Sequence, residues 1–390
     1  MFRKIAVFIF FFCFGFGYQL NPFKQTIHIY IDFATTPTLL QMMDIVQQPA
    51  KDKKFIFFRR FPNLSSRIDL TKYGAVQIDL PISEYANHHS NIIIENAIQT
   101  IYENHINADY IIHSNLWWNK NLIPILKIIP KRKIKQLHLY EDGVSNIVYS
   151  RKKETLSVNP EKINYKSDLE SILSDEKIYN HNYNFAFHLL YPTTYYFSFI
   201  DYAKQHPEFD TFMSFLSGAT LKEIDWFKFA TILTDEQKSA IYHLTEFDIN
   251  HYKEQIKDKS TDFFLLRGAF SSPEEQIKTT ASLFKNQDKD RLLILKEHPS
   301  LSIQTMAHKI QQNIPNAVMF PKHIPFEVLI LADLMPDTVS GYTSSVFFSI
   351  PAEKIKYFIT TDKDFYLPFL KELNIVSDEK VIKSMKEEND

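Results

Sequence analysis

The chain has only seven glycines in 390 residues: Gly15, Gly17, Gly74, Gly143, Gly218, Gly268 and Gly341. No G-x-G-x-x-G fingerprint and no P-loop can be written with them. Both motifs need glycines at fixed short spacings so that the backbone can approach a phosphate. This argues against a dinucleotide oxidoreductase and a P-loop kinase. Cysteine is scarcer still. Cys13 is the single one, so there is no intramolecular disulfide, no zinc–cysteine cluster and no cysteine nucleophile in the body of the protein. Charge of one sign is also lacking: 44 Lys and Arg against 46 Asp and Glu leave a net charge of −2. That balance gives no general pull toward nucleic acid. No internal repeat or low-complexity tract is visible.

What is present points to a globular enzyme-sized body. Hydrophobic residues make up 45% and charged residues 23%, the balance of a folded chain. A length of 390 residues suggests two domains. The 34 Phe and 20 Tyr are a heavy aromatic load whose ordinary use is core packing. At the N-terminus, Arg3 and Lys4 precede an apolar run from Ile5 to Phe16. A spanning helix usually needs roughly 20 residues, so this shorter run suits a membrane-targeting segment better. Its small-residue cleavage pattern is poor, and a misassigned start is an alternative. Residues 1–24 are therefore set apart from the fold.

From residue 25 onward strands and helices alternate. Ile27–Ile31, Phe55–Phe58, Ala75–Ile78, Tyr110–His113 and Ile134–Tyr140 read as strands. Between them, Pro37 to about Gln47 with Thr36 as its cap, Asn91–Asn104 and Trp117–Ile129 read as helices. Residues 155–260 read as helical and polar, with a boundary or crossover at Tyr191-Pro192-Thr193-Thr194. The alternation resumes with strands at Phe263–Leu266, Arg291–Leu295, Val318–Phe320, Thr338-Val339 and Tyr357–Thr360. Helices at Pro273–Phe284, Ile303–Asn313 and Pro325–Leu331 separate them. This pattern predicts an α/β protein of two doubly wound domains facing a cleft. The expected boundaries are 25–190 and 191–374, with a C-terminal helix over 375–390 packing back on the first domain.

Three polar clusters follow strand-like runs, where an open α/β sheet presents its ligand chemistry. Glu141-Asp142-Gly143 follows Leu137–Tyr140. An Asp in its ordinary range is ionised at neutral pH and can act as a general base on a sugar hydroxyl. The plain reading of the same residues is an Asp-Gly turn. His298-Pro299 follows Leu292–Leu295. Proline restricts the preceding residue to extended geometry, and an imidazole held there can donate to a phosphate oxygen. It can also be a simple strand-end histidine, and Lys296 nearby can be a site cation or a solvated one. Ser344-Ser345 precede the run Val346–Ile350. Hydroxyls at a helix start hold anions, but they also serve as ordinary caps. Glu327 falls in a helix first turn, where a carboxylate suits the dipole and can accept from a ribose diol. Asp288-Lys289-Asp290 and Asp362-Lys363-Asp364 resemble metal-holding pairs but read better as solvated turns. Trp117-Trp118 can stack on a sugar or fill a core.

The clusters in this order resemble the bacterial sialyltransferases of glycosyltransferase family 80. Tyr140-Glu141-Asp142-Gly143, Phe326-Glu327-Val328-Leu329, and Leu334-Met335-Pro336-Asp337 leading to Ser344-Ser345 carry the likeness. Leu233-Thr234-Asp235-Glu236-Gln237, the strand and turn Phe263–Gly268, and Ile31-Asp32 with Pro37 add to it. The resemblance spans roughly residues 25–380 and implies a GT-B fold. It also implies inverting, metal-independent transfer of sialic acid from CMP-sialic acid (CMP-Neu5Ac), with no cofactor. In its terms Asp142 matches the general base and His298 the group that assists departure of the phosphate. Ser344 and Ser345 match the phosphate-binding pair, and Glu327 the ribose-holding residue. Pro299, Lys296 and Gly268 fall where the family lines the cytidine base. There are departures from the pattern. Glu297 replaces a common glycine, Val144 replaces a polar residue, and Phe270 or Ser271 stands where an acceptor-contacting tryptophan is expected. The family's acceptor-side histidine aligns near Trp117. The expectation is a sialyltransferase acting on a terminal galactose-type sugar of a surface glycan such as lipooligosaccharide, membrane-associated through residues 5–16 with its site in the cytoplasm, export being the alternative. The alternatives are another CMP-keto-acid donor, an N-acetylgalactosamine acceptor, or a catalytically silent glycan- or nucleotide-binding protein.

Overall fold

A computed structural model describes residues 25–80, 88–116, 121–143, 164–175, 177, 183–266, 272–285, 290–298, 309–312, 314, 316–361 and 366–385. It contains two wholly parallel sheets. The first has strands β1 (Thr26–Asp32), β2 (Lys53–Phe58), β3 (Ala75–Gln77), β4 (Asp109–Asn115), β5 (Ile134–Tyr140), β6 (Thr193–Phe197) and β7 (Thr220–Glu223). Their spatial order is β3-β2-β1-β4-β5-β6-β7. The second has β8 (Ser260–Leu265), β9 (Arg291–Lys296), β10 (Ala317–Phe320), β11 (Thr338–Tyr342), β12 (Ile355–Thr360) and β13 (Val381–Lys383), in the order β10-β9-β8-β11-β12-β13. In both, the chain enters at the middle, winds to one edge, then crosses back. The reversal lies between β1 and β4 in one sheet and between β8 and β11 in the other. Such switch points open a crevice at the carboxyl ends of the strands.

The strands form because their residues are buried on both faces. β1 has Ile27, Ile29 and Ile31 on one side, packed with Ile94, Ile98 and Ile101 of the helix His88–Asn104. Tyr30 points the other way, toward Leu39, Leu40 and Met43 of the helix Thr35–Gln47. That second cluster runs on through Trp226, Leu233 and Ile241 to Phe263 and Leu265 of β8, so the two domains share packing. Two polar contacts tie them further. Arg67 donates to the Leu244 carbonyl at 2.7 Å and pairs with Glu246 at 3.1 Å, and Gln237 donates to the Val46 carbonyl at 3.4 Å. Gln237 also completes a capping box with Thr234 at the start of the helix Asp235–Thr245, which satisfies two backbone donors at once.

Several sequence expectations need correction. The first sheet continues past residue 190 through β6 and β7, so the boundary expected there falls inside the first domain. Thr36 does not cap its helix; Ala34 does, without a side-chain bond, and the Asp32 carboxylate accepts from the Ala34 N–H instead at 2.7 Å. Within 375–390, residues Val381–Lys383 form a strand of the second sheet rather than a helix. The element that returns to the first domain is the helix Leu367–Glu372, through Phe369 against Phe209 at a ring separation of 6.3 Å. Of the helix expected over Ile303–Asn313, residues 309–312 are described, and they are helical.

Candidate active site

The two sheets bring their sequence-distant clusters into one cleft. Its lining includes Thr36, Glu141, Gly143 and Ser198 from the first domain and Glu327, Ser345 and Ser349 from the second, with Ile224 and Trp226 just beyond β7. The walls meet at Gly143. A Cβ added there would lie 3.1 Å from the Ser345 Cβ and 3.4 Å from its Oγ. Gly143 also has φ +73°, a left-handed conformation that glycine adopts without strain. The acidic turn after β5 therefore reaches the serine pair after β11.

On the first wall, Glu141 is buried and accepts from the Ser198 N–H at 3.0 Å and from the Ser198 hydroxyl. Burial pushes its carboxyl up to about 8, and Glu223 and Asp142 add to the rise. Asp142 is only half-buried and so stays within reach of a ligand. Beneath it lies Asp32, at the carboxyl end of β1. Asp32 is fully buried, takes hydrogen bonds from Ala34 and Gln41 at 2.7 Å each, and lies 3.4 Å from the Asn115 amide. Burial raises its carboxyl well above the usual range, and the neighbouring Asp142 raises it further. When two carboxylates crowd, the buried one holds the proton more readily. Arg60, just after β2, donates to the Phe33 carbonyl at 3.2 Å. Its field reaches Asp142 and Asp32 on this wall and His298 on the other. Sequence reasoning gave Asp32 and Arg60 no site role. Asp32 ends β1 beside the switch point, and Arg60 lies just past the neighbouring strand β2.

On the second wall, Ser344 and Ser345 precede the helical turn Val346–Ser349, and the Ser344 Oγ accepts from the Val346 N–H at 3.3 Å. Glu327, at the start of the helix Glu327–Leu331, is buried and accepts from the Ser349 hydroxyl at 3.1 Å. Burial raises its carboxyl; the Ser349 bond and Lys296 oppose the rise. Lys296, at the end of β9, is buried with its ammonium donating to the carbonyls of Ile324 at 2.7 Å and Lys322 at 3.2 Å. Burial brings it down to about 7, with Glu327 opposing. His298 stands two residues further on and is exposed. Crowding by the cleft walls, Lys296 and Arg60 lower its imidazole to about 4. Water in the open cleft screens part of that effect, and in the unliganded protein the ring is neutral at pH 7. Pro299, Gly268, Phe270, Ser271, Trp117, Trp118, Asp288, Asp362 and Asp364 lie outside the described residues.

The arrangement is a carboxylate-bearing wall facing a wall of hydroxyls, an imidazole and a buried lysine. It suits deprotonation on one side and anion binding on the other. A family model described as Sialyltransferase PMO188 matches residues 27–387. A search of curated proteins found no match. Among solved structures, an α/β-galactoside α-2,3-sialyltransferase from Photobacterium phosphoreum is 26% identical, with a TM-score of 0.75 over 92% of this chain and 98% of that one. The GT-B domain of a sialyltransferase from Photobacterium damselae is 22% identical, with a TM-score of 0.75 over 92% of this chain and 100% of that one. A 2,6-sialyltransferase from a Photobacterium species, solved with CMP and lactose, is 21% identical, with a TM-score of 0.75 over 92% of this chain and 78% of that one. With the fold, the cleft and the family match together, the chain belongs to the sialyltransferase family described as PMO188 and is a glycosyltransferase of the GT-B fold.

Proposed function

We propose that the protein transfers sialic acid from CMP-sialic acid to a terminal galactose-type sugar of a surface glycan such as lipooligosaccharide, with inversion and without a metal. The observation that carries this reading is the approach of the acidic turn at Gly143 to Ser345. It sets a candidate base against a candidate phosphate site in one cleft. In this scheme Asp142 takes the proton from the acceptor hydroxyl. The freed oxygen attacks the anomeric carbon as the bond to the CMP phosphate breaks. Attack from the face opposite the leaving group inverts the configuration. Charge grows on the departing phosphate, where Ser344, Ser345 and the His298 N–H would stabilise it. Glu327 would accept from the ribose hydroxyls, beside Lys296. Pro299 and Gly268 would line the cytidine.

The same reading includes attachment to an anionic membrane. In the chain, the apolar run Ile5–Phe16 precedes Thr26, the start of β1. The pairs Thr26–Asp109 and Tyr110–Ile134 bring the basic run Lys131-Arg132-Lys133 to the same sheet edge. The cleft lies at the opposite edge, where β1 ends at Asp32 and β5 leads to Asp142. Seven-residue strands span about 23 Å, so an anchored molecule would face its cleft away from the surface, toward the cytoplasm where CMP donors are made. Among the described residues no helix is long and apolar enough to cross a membrane.

The test is an assay with CMP-sialic acid, lactose or N-acetyllactosamine, and excess EDTA. A sialylated product at an unchanged rate is expected, identified by mass and linkage. CMP release without a sugar product would leave the donor and overturn the acceptor. A strict divalent-metal requirement for transfer would overturn the metal-free scheme. Folded protein that binds CMP without turning over would favour the silent binding protein.

A further inference from the structure

The first sheet contains a row of buried and half-buried polar rings that the transfer scheme does not use. His28 on β1, His113 on β4 and His138 on β5 share one face with Tyr30, Tyr140 and Tyr196. His28 Nδ1 and His113 Nε2 face each other at 3.1 Å. The carboxylate of Asp44, from the helix above, reaches the same place. Ligand atoms of His28, Asp44 and His113 all lie within 4.8 Å of one another.

We propose that His28, His113 and Asp44 form a binding site for a divalent transition metal, zinc above all, that pins the helix Thr35–Gln47 to the first sheet. Tetrahedral ligands at about 2 Å from a zinc ion stand roughly 3.3 Å apart, close to the observed 3.1 Å between the two imidazole nitrogens. A single hydrogen bond accounts for that distance too, but three features beyond it favour a metal. The first is the donor set, two imidazoles and a carboxylate, which suits borderline divalent metals. The second is the outer shell. With Nε2 turned to the metal, His113 presents Nδ1 to the Tyr140 hydroxyl at 3.0 Å, with an Asp44 carboxylate oxygen 3.7 Å from that nitrogen. Asp44 is held by Tyr30 at 2.7 Å through one oxygen and by Gln48 at 3.1 Å through the other. Ligands oriented by such partners are typical of metal centres. The third is access. The Asp44 side chain keeps 18% of its surface exposed while His113 keeps 1%, so an ion can enter past the helix into an otherwise closed site.

A fourth position remains for water, next to the Tyr30 hydroxyl, which is 3.4 Å from His28 Nδ1. The metal's role is to stiffen the sheet by joining β1 and β4 to the helix Thr35–Gln47. The site is nonetheless coupled to the cleft by short paths. Tyr30 is two residues before Asp32, and His113 two before Asn115, whose amide approaches Asp32. This inference does not rest on the transferase reading. It is also separate from the metal-free transfer step, because the ion would sit between the helix Thr35–Gln47 and the sheet, at His28, four residues before the cleft end of β1.

The experiment uses the full chain. Metal content is measured by elemental analysis after purification and after loading with zinc, then dialysis. Cobalt(II) is titrated in parallel and its visible ligand-field absorption followed. One equivalent of bound metal is expected, with a raised thermal midpoint in the loaded protein and a cobalt spectrum of low coordination number. Asp44→Asn and His28→Gln should each abolish that equivalent. Tyr140→Phe, which removes an outer-shell partner and leaves all three ligands, should weaken zinc by roughly 10- to 100-fold. The cobalt spectrum of the native chain needs no variant, so poor folding of His28→Gln leaves the test intact. Folded protein that takes up no stoichiometric zinc or cobalt would overturn the site. So would binding that survives both ligand substitutions unchanged, which would assign it to other histidines.

Discussion

The two domains wind their strands in the same order around their switch points, yet they are built from different interiors. β8 and β9 carry Phe263, Phe264 and Leu292 to Leu295 through the centre of the second sheet, with Asp262 near one end and Lys296 at the other. The first sheet carries histidines and tyrosines across its middle on one face. At the cleft the difference becomes functional. The first wall ends in carboxyls, two of which burial raises, and the second ends in hydroxyls, a lysine and an imidazole. One topology thus supplies a proton-handling wall and an anion-handling wall, and the loops at the strand ends decide which is which. This is how a shared fold hosts different chemistry in its two halves.

The largest expected effect breaks the proton-handling wall. Asp142→Ala should reduce kcat by about 10²- to 10⁴-fold, the usual contribution of a general base, while circular dichroism and the thermal midpoint stay near those of the native chain. Near-native transfer by the folded variant would remove Asp142 from the base role. The anion-handling wall is tested by Ser344→Ala combined with Ser345→Ala. Removing donors aimed at developing charge typically costs roughly 10²- to 10³-fold, and here CMP should also bind more weakly. If the walls divide the work as argued, Asp142→Ala leaves CMP affinity almost untouched and the serine pair does not. Equal losses of CMP affinity in both would dissolve the distinction.

A smaller change tests where the walls meet. Gly143→Ala adds a Cβ 3.1 Å from the Ser345 Cβ at a backbone φ of +73°. The left-handed conformation alone costs an alanine about 1–2 kcal/mol, and the contact pushes the two turns apart. Lower stability together with a lower rate is expected. A stable, fully active variant would show that the turns need not approach so closely during transfer.

The elements that were legible in the sequence were those with strong local signals. β5 and the helix Pro273–Phe284 have the bounds expected for them. β6 was hidden because Pro192 and the adjoining aromatics read as a crossover, although its residues favour strands. β7 and β13, of four and three residues, are short sheet-edge strands with too few apolar positions to signal. In the site, Glu141, Asp142, Lys296, His298, Glu327 and the serine pair all lie at strand ends or helix starts, where such residues are expected to serve a ligand. Arg60 reads as an ordinary charged turn residue until the fold sets it between the walls. The paired rings of His28 and His113 are 85 positions apart in the chain. No local pattern announces a neighbour that only sheet register creates.

The subtlest prediction separates the walls by the sign of their pH dependence. Glu141 has a folded pKa of about 8 against an ordinary 4.5. Between these values the native state holds a proton that the unfolded chain has released, so stability falls as pH rises across that window. His298 is shifted the other way, from 6.5 to about 4. There the unfolded chain binds the extra proton, and stability falls as pH drops below 6.5. The two effects oppose each other in mild acid and part company above 6.5, where His298 is neutral in both states. Glu223, raised to about 7 chiefly by burial, acts in the same direction as Glu141 but is exhausted sooner. In the window from 7 to 8 Glu141 is opposed by Lys296, which burial brings from 10.5 down to about 7, so that there the unfolded chain holds the extra proton and stability rises with pH. Glu141→Gln keeps an acceptor for Ser198 and removes the titration. Thermal midpoints measured across that window should rise more steeply with pH in the variant than in the native chain, where Glu141 offsets Lys296. Parallel profiles would mean that Glu141 is already ionised at neutral pH, and that the first wall carries more negative charge than its burial allows.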